Sequence, residues 1–288
     1  MPSVLQAYPN DDPARVTDLL TYPTLFMGIG NLISMPLTLT IGRRPIFLFS
    51  LLLLVITGFW CAFSTSLGSH IAGRNIFSMA AGQSEALAPF IIEEIHFLHE
   101  RSSKLSWFIG VQTVGTAALF VMTAYVVPPL GLKWWYLIIT FLNIATLLLS
   151  IFFVVETMYD RKVEEEDTAS NEGKPMAGER RTLRPDIYGQ RTLRHDLKLF
   201  HHKPVWSRVT DFYIDTAKGF LIPTMFWILL FNGAFLGVYI YQASTFAVIL
   251  TQPPYSFAFD LLGWVQIFQI GVVMVLIPVL GYGTDMFS

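Results

Sequence analysis

Arg74 and Glu85 are ionisable residues inside one apolar run, "GRNIFSMAAGQSEALAPFII". An arginine at the centre of a hydrocarbon layer costs about 2.5–3.5 kcal/mol on insertion scales, so such a charge faces a partner or a wet cavity. Their separation of eleven residues is about three helical turns. That places both on one face, roughly 16 Å apart along the axis. They cannot touch, but they can mark two depths of one polar stripe that carries a proton or a polar substrate. The plainer reading has Arg74 snorkelling to the outer interface and Glu85 acting as a structural hydrogen-bond hub. Gln112, Asn143, Asn232, Gln242, Gln266 and Gln269 are amides inside apolar runs. They could hydrogen-bond a substrate in a cavity; taken singly, each is better read as glue between helices. A third feature is "TIGRRPIF", where Arg43 and Arg44 fill a very short gap between two greasy stretches.

Other chemistries find no support. His96 and His99 in "EEIHFLHER" stand three apart, but the pattern is not HExxH and reads as a charged helix exit, so no metal is expected. His201-His202 reads as a solvated doublet. There is no nucleotide-binding glycine loop, nucleophile elbow or triad, so neither a cofactor nor an enzyme is expected. The basic stretch between 180 and 208 could touch anionic lipid; nothing suggests nucleic-acid binding. The single cysteine, Cys61, excludes an internal disulfide.

The elements that carry these residues are set by composition. The 288-residue chain is 53% hydrophobic and only 14% charged, with a mean hydropathy of +0.52, whereas soluble domains carry about 25% charge. Apolar runs of about 20 residues cross a hydrocarbon core about 30 Å thick as helices. Seven such spans are expected, at 22–41, 46–64, 70–92, 105–127, 134–155, 222–250 and 263–283, giving an all-α polytopic membrane protein embedded in a lipid bilayer. Arg43, Arg44, Arg101, Lys104 and the Lys and Arg residues between 156 and 218 all fall in alternate gaps. By the positive-inside rule that side is cytoplasmic. No signal peptide is read in "MPSVLQAYPNDDPARVTD". The expected organisation is an extracytoplasmic segment 1–21, a first helical half 22–159, a cytoplasmic linker 160–218 and the start of a second half 219–288. The polar stretch 160–195 reads as disordered, and the aromatic and basic residues after it read as an interfacial helix or lead-in. Trp134, Trp135, Trp206 and Tyr255 fall near expected interfaces, as anchoring belts do. Seven spans with an outer N-terminus also outline a seven-helix receptor. Against this stand the lack of a cysteine pair, the short tail and the "GRRP" turn.

That turn carries a resemblance. "GIGNLISMPLTLTIGRRPIF" resembles the helix 2–3 region of major facilitator superfamily transporters, whose signature is G-x-x-x-D-R-x-G-R-[RK]. Gly42, Arg43 and Arg44 match its second half, while Leu39 replaces its aspartate and Met35 its opening glycine. The form "GN…PL…GRRP" is similar to the fungal drug:proton antiporter-like branch. "GRNIFSMAAGQSEALAPFIIEEIHFLHERS" resembles that branch's helix 4 and exit loop, "KWWY" its entry to helix 6 and "VETMYDRK" its exit. "FNGAFLGVYIYQASTFAVILTQPPYSF" resembles helix 7 and the loop after it. "GYGTDMFS" resembles the start of the second signature copy, with Gly281 and Asp285. The helix 5 stretch has Gly110 and Gly115 but not the antiporters' Gly-Pro.

The resemblance covers roughly residues 20–288 and implies a partial major facilitator fold, family helices 2 to 8. Helix 1 and helices 9–12 lack counterparts, so a truncated member is expected. It implies alternating-access transport of a small organic molecule, a drug or secondary metabolite, with proton coupling, in the cell membrane. Arg74, Glu85, Gln112, Asn232 and Gln242 would form the substrate or proton path. Gly42, Arg43, Arg44, Glu156, Arg161, Gly281 and Asp285 would form a cytoplasmic gate, with Glu156 the nearest partner of the arginines. The alternatives are a receptor-like protein or a remnant that does not transport.

Overall fold

The computed structural model describes residue 8, residues 13–96, 98–157, 200 and 204–257, together with Trp264, Phe268, 270–272 and 274–276. Among these, six helices follow in order: α1 (Pro13–Ile41), α2 (Arg43–Phe63), α3 (Leu67–Ile95), α4 (Leu98–Phe153), α5 (Ser207–Phe220) and α6 (Pro223–Thr251). No strand occurs among the described residues. Stretches long and apolar enough to cross a bilayer are Thr21–Ile41, Arg43–Phe63, Glu100–Phe153 and Pro223–Gln242. The third holds two of the expected spans. After Pro128-Pro129 the backbone breaks at Gly131 (φ 82°, ψ 172°), a left-handed conformation that only glycine adopts cheaply. The arms 98–130 and 132–153 match the expected spans 105–127 and 134–155. Helix α3 covers the expected span 70–92 and is less apolar than the other spans, since Arg74, Asn75, Gln83 and Glu85 lie along it. The expected span 263–283 falls largely outside the described residues; those described within it are helical.

At two places helix lies outside the expected spans. Helix α1 starts at Pro13, inside the segment expected to precede the first span. Proline is favoured at the first helical position, where its missing N–H would have no partner anyway. Helix α5 occupies the end of the expected linker 160–218.

The core is small and lies between α2, α3 and the second arm of α4. Leu51, Leu54 and Ala80 are buried with Phe47, Phe77 and Leu147 around them. Nearer the other end, Cys61, Ala62 and Tyr136 pack with Leu132 and Leu137. Helices α1 and α3 meet at their N-terminal ends through Leu19 and Leu67. They then cross at glycines: a Cβ on Gly30 would collide with the Met79 carbonyl oxygen, and one on Gly82 would lie 2.6 Å from that of Met27. Backbones this close gain contact that lipid chains cannot supply. Outside the core the surface is apolar. Trp227, Phe231 and Phe235 on one face of α6 are 66%, 72% and 70% exposed, which suits hydrocarbon and not water.

Helix α5 docks on α1 through backbone groups left without helical partners. Pro36 has no N–H, so the Leu32 carbonyl lacks its usual donor. The Tyr213 hydroxyl supplies one at 3.0 Å. The Leu39 carbonyl lies in the last turn of α1, where carbonyls have no helical donor, and the Arg208 guanidinium donates to it at 3.3 Å. Tyr213→Phe removes one of these two bonds, a loss of about 1 kcal/mol. Amide hydrogen exchange across 207–220 is then expected to speed up about fivefold while that of α2 is unchanged. Gly82→Leu forces a side chain into the Met27 backbone and is expected to lower thermal stability in detergent by about 1–3 kcal/mol.

Candidate functional site

Two polar clusters lie at opposite ends of the four-helix packing. The first is the turn between α1 and α2. Gly42 there has φ 120°, and a Cβ on it would lie 2.8 Å from Glu156 Oε2, so both its conformation and its surroundings require glycine. Glycine offers no side-chain cap to α2, and Glu156 supplies one from the end of α4. Its Oε1 accepts the Arg43 backbone N–H at 3.1 Å and its Oε2 that of Arg44 at 3.1 Å. A carboxylate at a helix N-terminus is held by those N–H groups and by the helix dipole. The arginine side chains turn back across the same junction. Arg43 Nη1 donates to the carbonyl and hydroxyl oxygens of Thr157 at 3.3 Å, and its guanidinium stacks 4.8 Å from the centre of Phe90 on α3. Arg44 Nη2 donates to the Ile151 carbonyl at 2.8 Å, an acceptor in the last turn of α4 without a helical donor. Arg43 and Arg44 are 6% and 3% exposed. Gly42, Arg43, Arg44 and Glu156 are thus together. Arg161, Gly281 and Asp285 lie outside the described residues.

The second cluster surrounds His70, which is 1% exposed. Its Nε2 is 3.0 Å from the Tyr136 hydroxyl, and Arg74 Nη1 donates to that same hydroxyl at 2.9 Å. On the other side, His70 Nδ1 lies 2.8 Å from Ser64 Oγ and 3.3 Å from the Tyr8 hydroxyl. Ser64 Oγ donates to the Cys61 carbonyl at 2.9 Å, which fits an Nδ1–H that donates to Ser64 Oγ and an Nε2 that accepts from the Tyr136 O–H. In that arrangement the imidazole is neutral with its proton on Nδ1. Helix α3 brings His70 and Arg74 to one face because they are four apart. The second arm of α4 brings Tyr136, and α2 ends at Phe63 to present Ser64.

The remaining expected path residues are placed differently. Arg74 is half-buried, but Glu85 is exposed and makes no hydrogen bond or ion pair among the described residues. Gln112, Asn232 and Gln242 are exposed, and Asn232 Nδ2 donates to the Ile228 carbonyl in its own helix at 2.9 Å. Gln266 and Gln269 lie outside the described residues. The polar atoms that are enclosed are others. Asn31 Oδ1 and Ser34 Oγ on α1, with Asn75 Oδ1 and Gln83 Nε2 on α3, are buried without a hydrogen-bond partner among the described residues. Such atoms cost free energy until something pairs with them. His96 ends α3, its Nδ1 3.0 Å from the Ile92 carbonyl, in keeping with a helix exit. No group of three or more His, Cys, Asp or Glu able to hold a metal occurs among the described residues.

An all-α bundle with apolar outer faces, a carboxylate-capped arginine turn and an arginine within its third helix defines a polytopic integral membrane protein. The sequence profile of the Major Facilitator Superfamily matches residues 1–288, and the chain belongs to that family. This sets aside the seven-helix receptor. It is 30% identical over 142 residues to an uncharacterized MFS-type transporter of Schizosaccharomyces pombe, covering 48% of this chain and 24% of that protein. It is 26% identical over 139 residues to the MFS-type transporter paaT of Penicillium rubens, covering 48% and 25%. The matched region thus spans about a quarter of these curated relatives. No solved structure matches the chain.

Replacing Glu156 by Ala leaves the α2 N-terminus uncapped and is expected to cost about 1.5–3 kcal/mol, measured by thermal unfolding in detergent. Glu156→Gln, which keeps an acceptor oxygen, is expected to lose less.

Proposed function

We propose that the chain serves membrane transport of a small organic molecule, a drug or secondary metabolite, by alternating access coupled to protons, in the manner of the drug:proton antiporter branch and in the cell membrane. The observation that carries this is Arg74. It is a cation inside a packed helix, held through Nη1 by the Tyr136 hydroxyl, and only half-buried. A guanidinium so placed retains donors for a second partner, such as water or a neutral polar group of a substrate. The buried, unpartnered atoms of Asn31 and Ser34 on α1 and of Asn75 and Gln83 on α3 add further polar groups to the interior of the bundle. In this reading Glu85, Gln112, Asn232 and Gln242, exposed on their helices, would line the path between two helical groups, 22–159 and 219–288. The names of the two fungal relatives agree with a transport role.

In the same reading, the Gly42–Arg43–Arg44 turn and Glu156 form the cytoplasmic latch, and Arg161, Gly281 and Asp285 extend it. The carboxylate binds α2 and α4 to one another in one access state. Losing it biases a two-state equilibrium by the worth of its charge-assisted bonds.

The test is reconstitution of the full chain in liposomes under an imposed pH gradient, with a panel of lipophilic organic cations that includes ethidium. Gradient-dependent movement of at least one probe is expected, and Arg74→Ala is expected to reduce it by about a hundredfold while the protein remains inserted. Normal movement in that variant would remove Arg74 from the path.

A further inference from the structure

The four groups around His70 form a continuous hydrogen-bonded line that leads away from Arg74. Tyr136 receives a bond from Arg74 Nη1 at 2.9 Å and lies 3.0 Å from His70 Nε2. His70 Nδ1 in turn reaches Ser64 at 2.8 Å and Tyr8 at 3.3 Å. Tyr8 also lies 3.2 Å from Ser64. The line runs from the half-buried Arg74, through Tyr136 and His70, which are 7% and 1% exposed, to Tyr8, which is half-buried and belongs to the segment before α1. The aromatic rings are stacked edge to face, with centroids 5.0 Å apart for His70 and Tyr136 and 5.9 Å for Tyr8 and His70. This packing holds the donors in register.

We propose that Tyr136, His70 and Tyr8 are a proton relay joining the Arg74 site to the end of the bundle where α2 gives way to α3. The proposal rests on the reading of Arg74 as part of a proton-coupled path. The structural role alone, tying α2, α3 and α4 together, needs only hydrogen bonds. Three features go further. Each group along the line both donates and accepts. The central one is an imidazole, whose two nitrogens can take up a proton on one side and release one on the other. The Arg74 cation stabilises negative charge on the Tyr136 oxygen as its proton departs. The titratable or charged groups touching this line are Arg74 from α3, Tyr136 from α4 and Tyr8 from the segment before α1. Cys61 of α2 lies close by, its sulfur 3.1 Å from where a Cβ on Gly73 would stand.

The step balances without an oxidant or reductant. A proton from water at the Arg74 site binds the Tyr136 oxygen as the original Tyr136 O–H bond breaks and a bond forms to His70 Nε2. The His70 Nδ1–H bond breaks and its proton passes to the Tyr8 oxygen, whose own proton leaves to solvent. The imidazole is left as its other tautomer and is reset when the ring turns. One proton has crossed, and no charge has accumulated.

Two measurements on the full chain test this. In lipid nanodiscs, the nitrogen NMR signals of His70 report exchange of its Nδ1–H with deuterated water. The relay predicts exchange within minutes, slowed about tenfold or more in Tyr8→Phe, which keeps the ring contact and removes the hydroxyl. Exchange over many hours in the wild type, or no change in Tyr8→Phe, would falsify the relay. In liposomes, ethidium movement and internal pH are followed together. His70→Gln can still donate and accept hydrogen bonds but cannot pass a proton. It is expected to keep ethidium–ethidium exchange within about twofold while losing gradient-driven accumulation by about tenfold or more. Undiminished accumulation, or equal loss of both, counts against the relay. A wild type that moves neither ethidium nor protons counts against the transport reading for this probe, and the deuterium measurement then decides the relay alone.

Discussion

Hydrocarbon contains no water, so each polar atom placed in it must find its partner within the protein. Most features of this chain follow from that constraint. The hydroxyls of Thr40, Thr57, Thr113, Thr140 and Thr245 each donate to the carbonyl four residues back. Where a helix ends, the same demand draws in side chains from distant sequence. Glu156 crosses to the first N–H groups of α2, Arg44 reaches the last turn of α4, and Arg208 reaches the last turn of α1. The helix ends thus act as the joints of the bundle. The apolar faces, which meet lipid as readily as one another, specify little of the arrangement.

This division explains what could be read from sequence. Apolar runs announce helices because their length is fixed by bilayer thickness, and the six expected spans up to residue 250 lie within or across the observed helices to within a few residues. The arginine turn was legible because glycine and paired arginines in a short gap have few uses in such a chain, and Glu156 was the nearest acid. The capping of α2 was not legible. The carboxylate binds backbone N–H groups, which leave no mark in the residue types, and Glu156 lies over a hundred residues from the turn.

The polar interior was less accessible still. Periodicity puts Arg74 and Glu85 on one face, but it does not say what that face meets. Arg74 meets Tyr136; Glu85 lies exposed. The amides judged by type, Gln112, Asn232 and Gln242, lie on outer surfaces of the described helices, whereas Asn31, Asn75 and Gln83 are enclosed. Hydropathy alone cannot give the rotation of each helix about its axis, which decides between these outcomes. His70 had a usable signal in its spacing of four from Arg74. Tyr136 had only its place after two tryptophans at a helix entry, where anchoring explains an aromatic equally well.

The bond between Tyr213 and the Leu32 carbonyl has a consequence for how the sequence can change. The acceptor is vacant only because residue 36 is proline. A residue with an N–H there would share the Leu32 carbonyl with the Tyr213 hydroxyl and weaken their bond. The two positions, 177 residues apart and on opposite sides of the long polar stretch, are therefore coupled. Among related chains, proline at the first and a hydroxyl-bearing ring at the second should be gained and lost together.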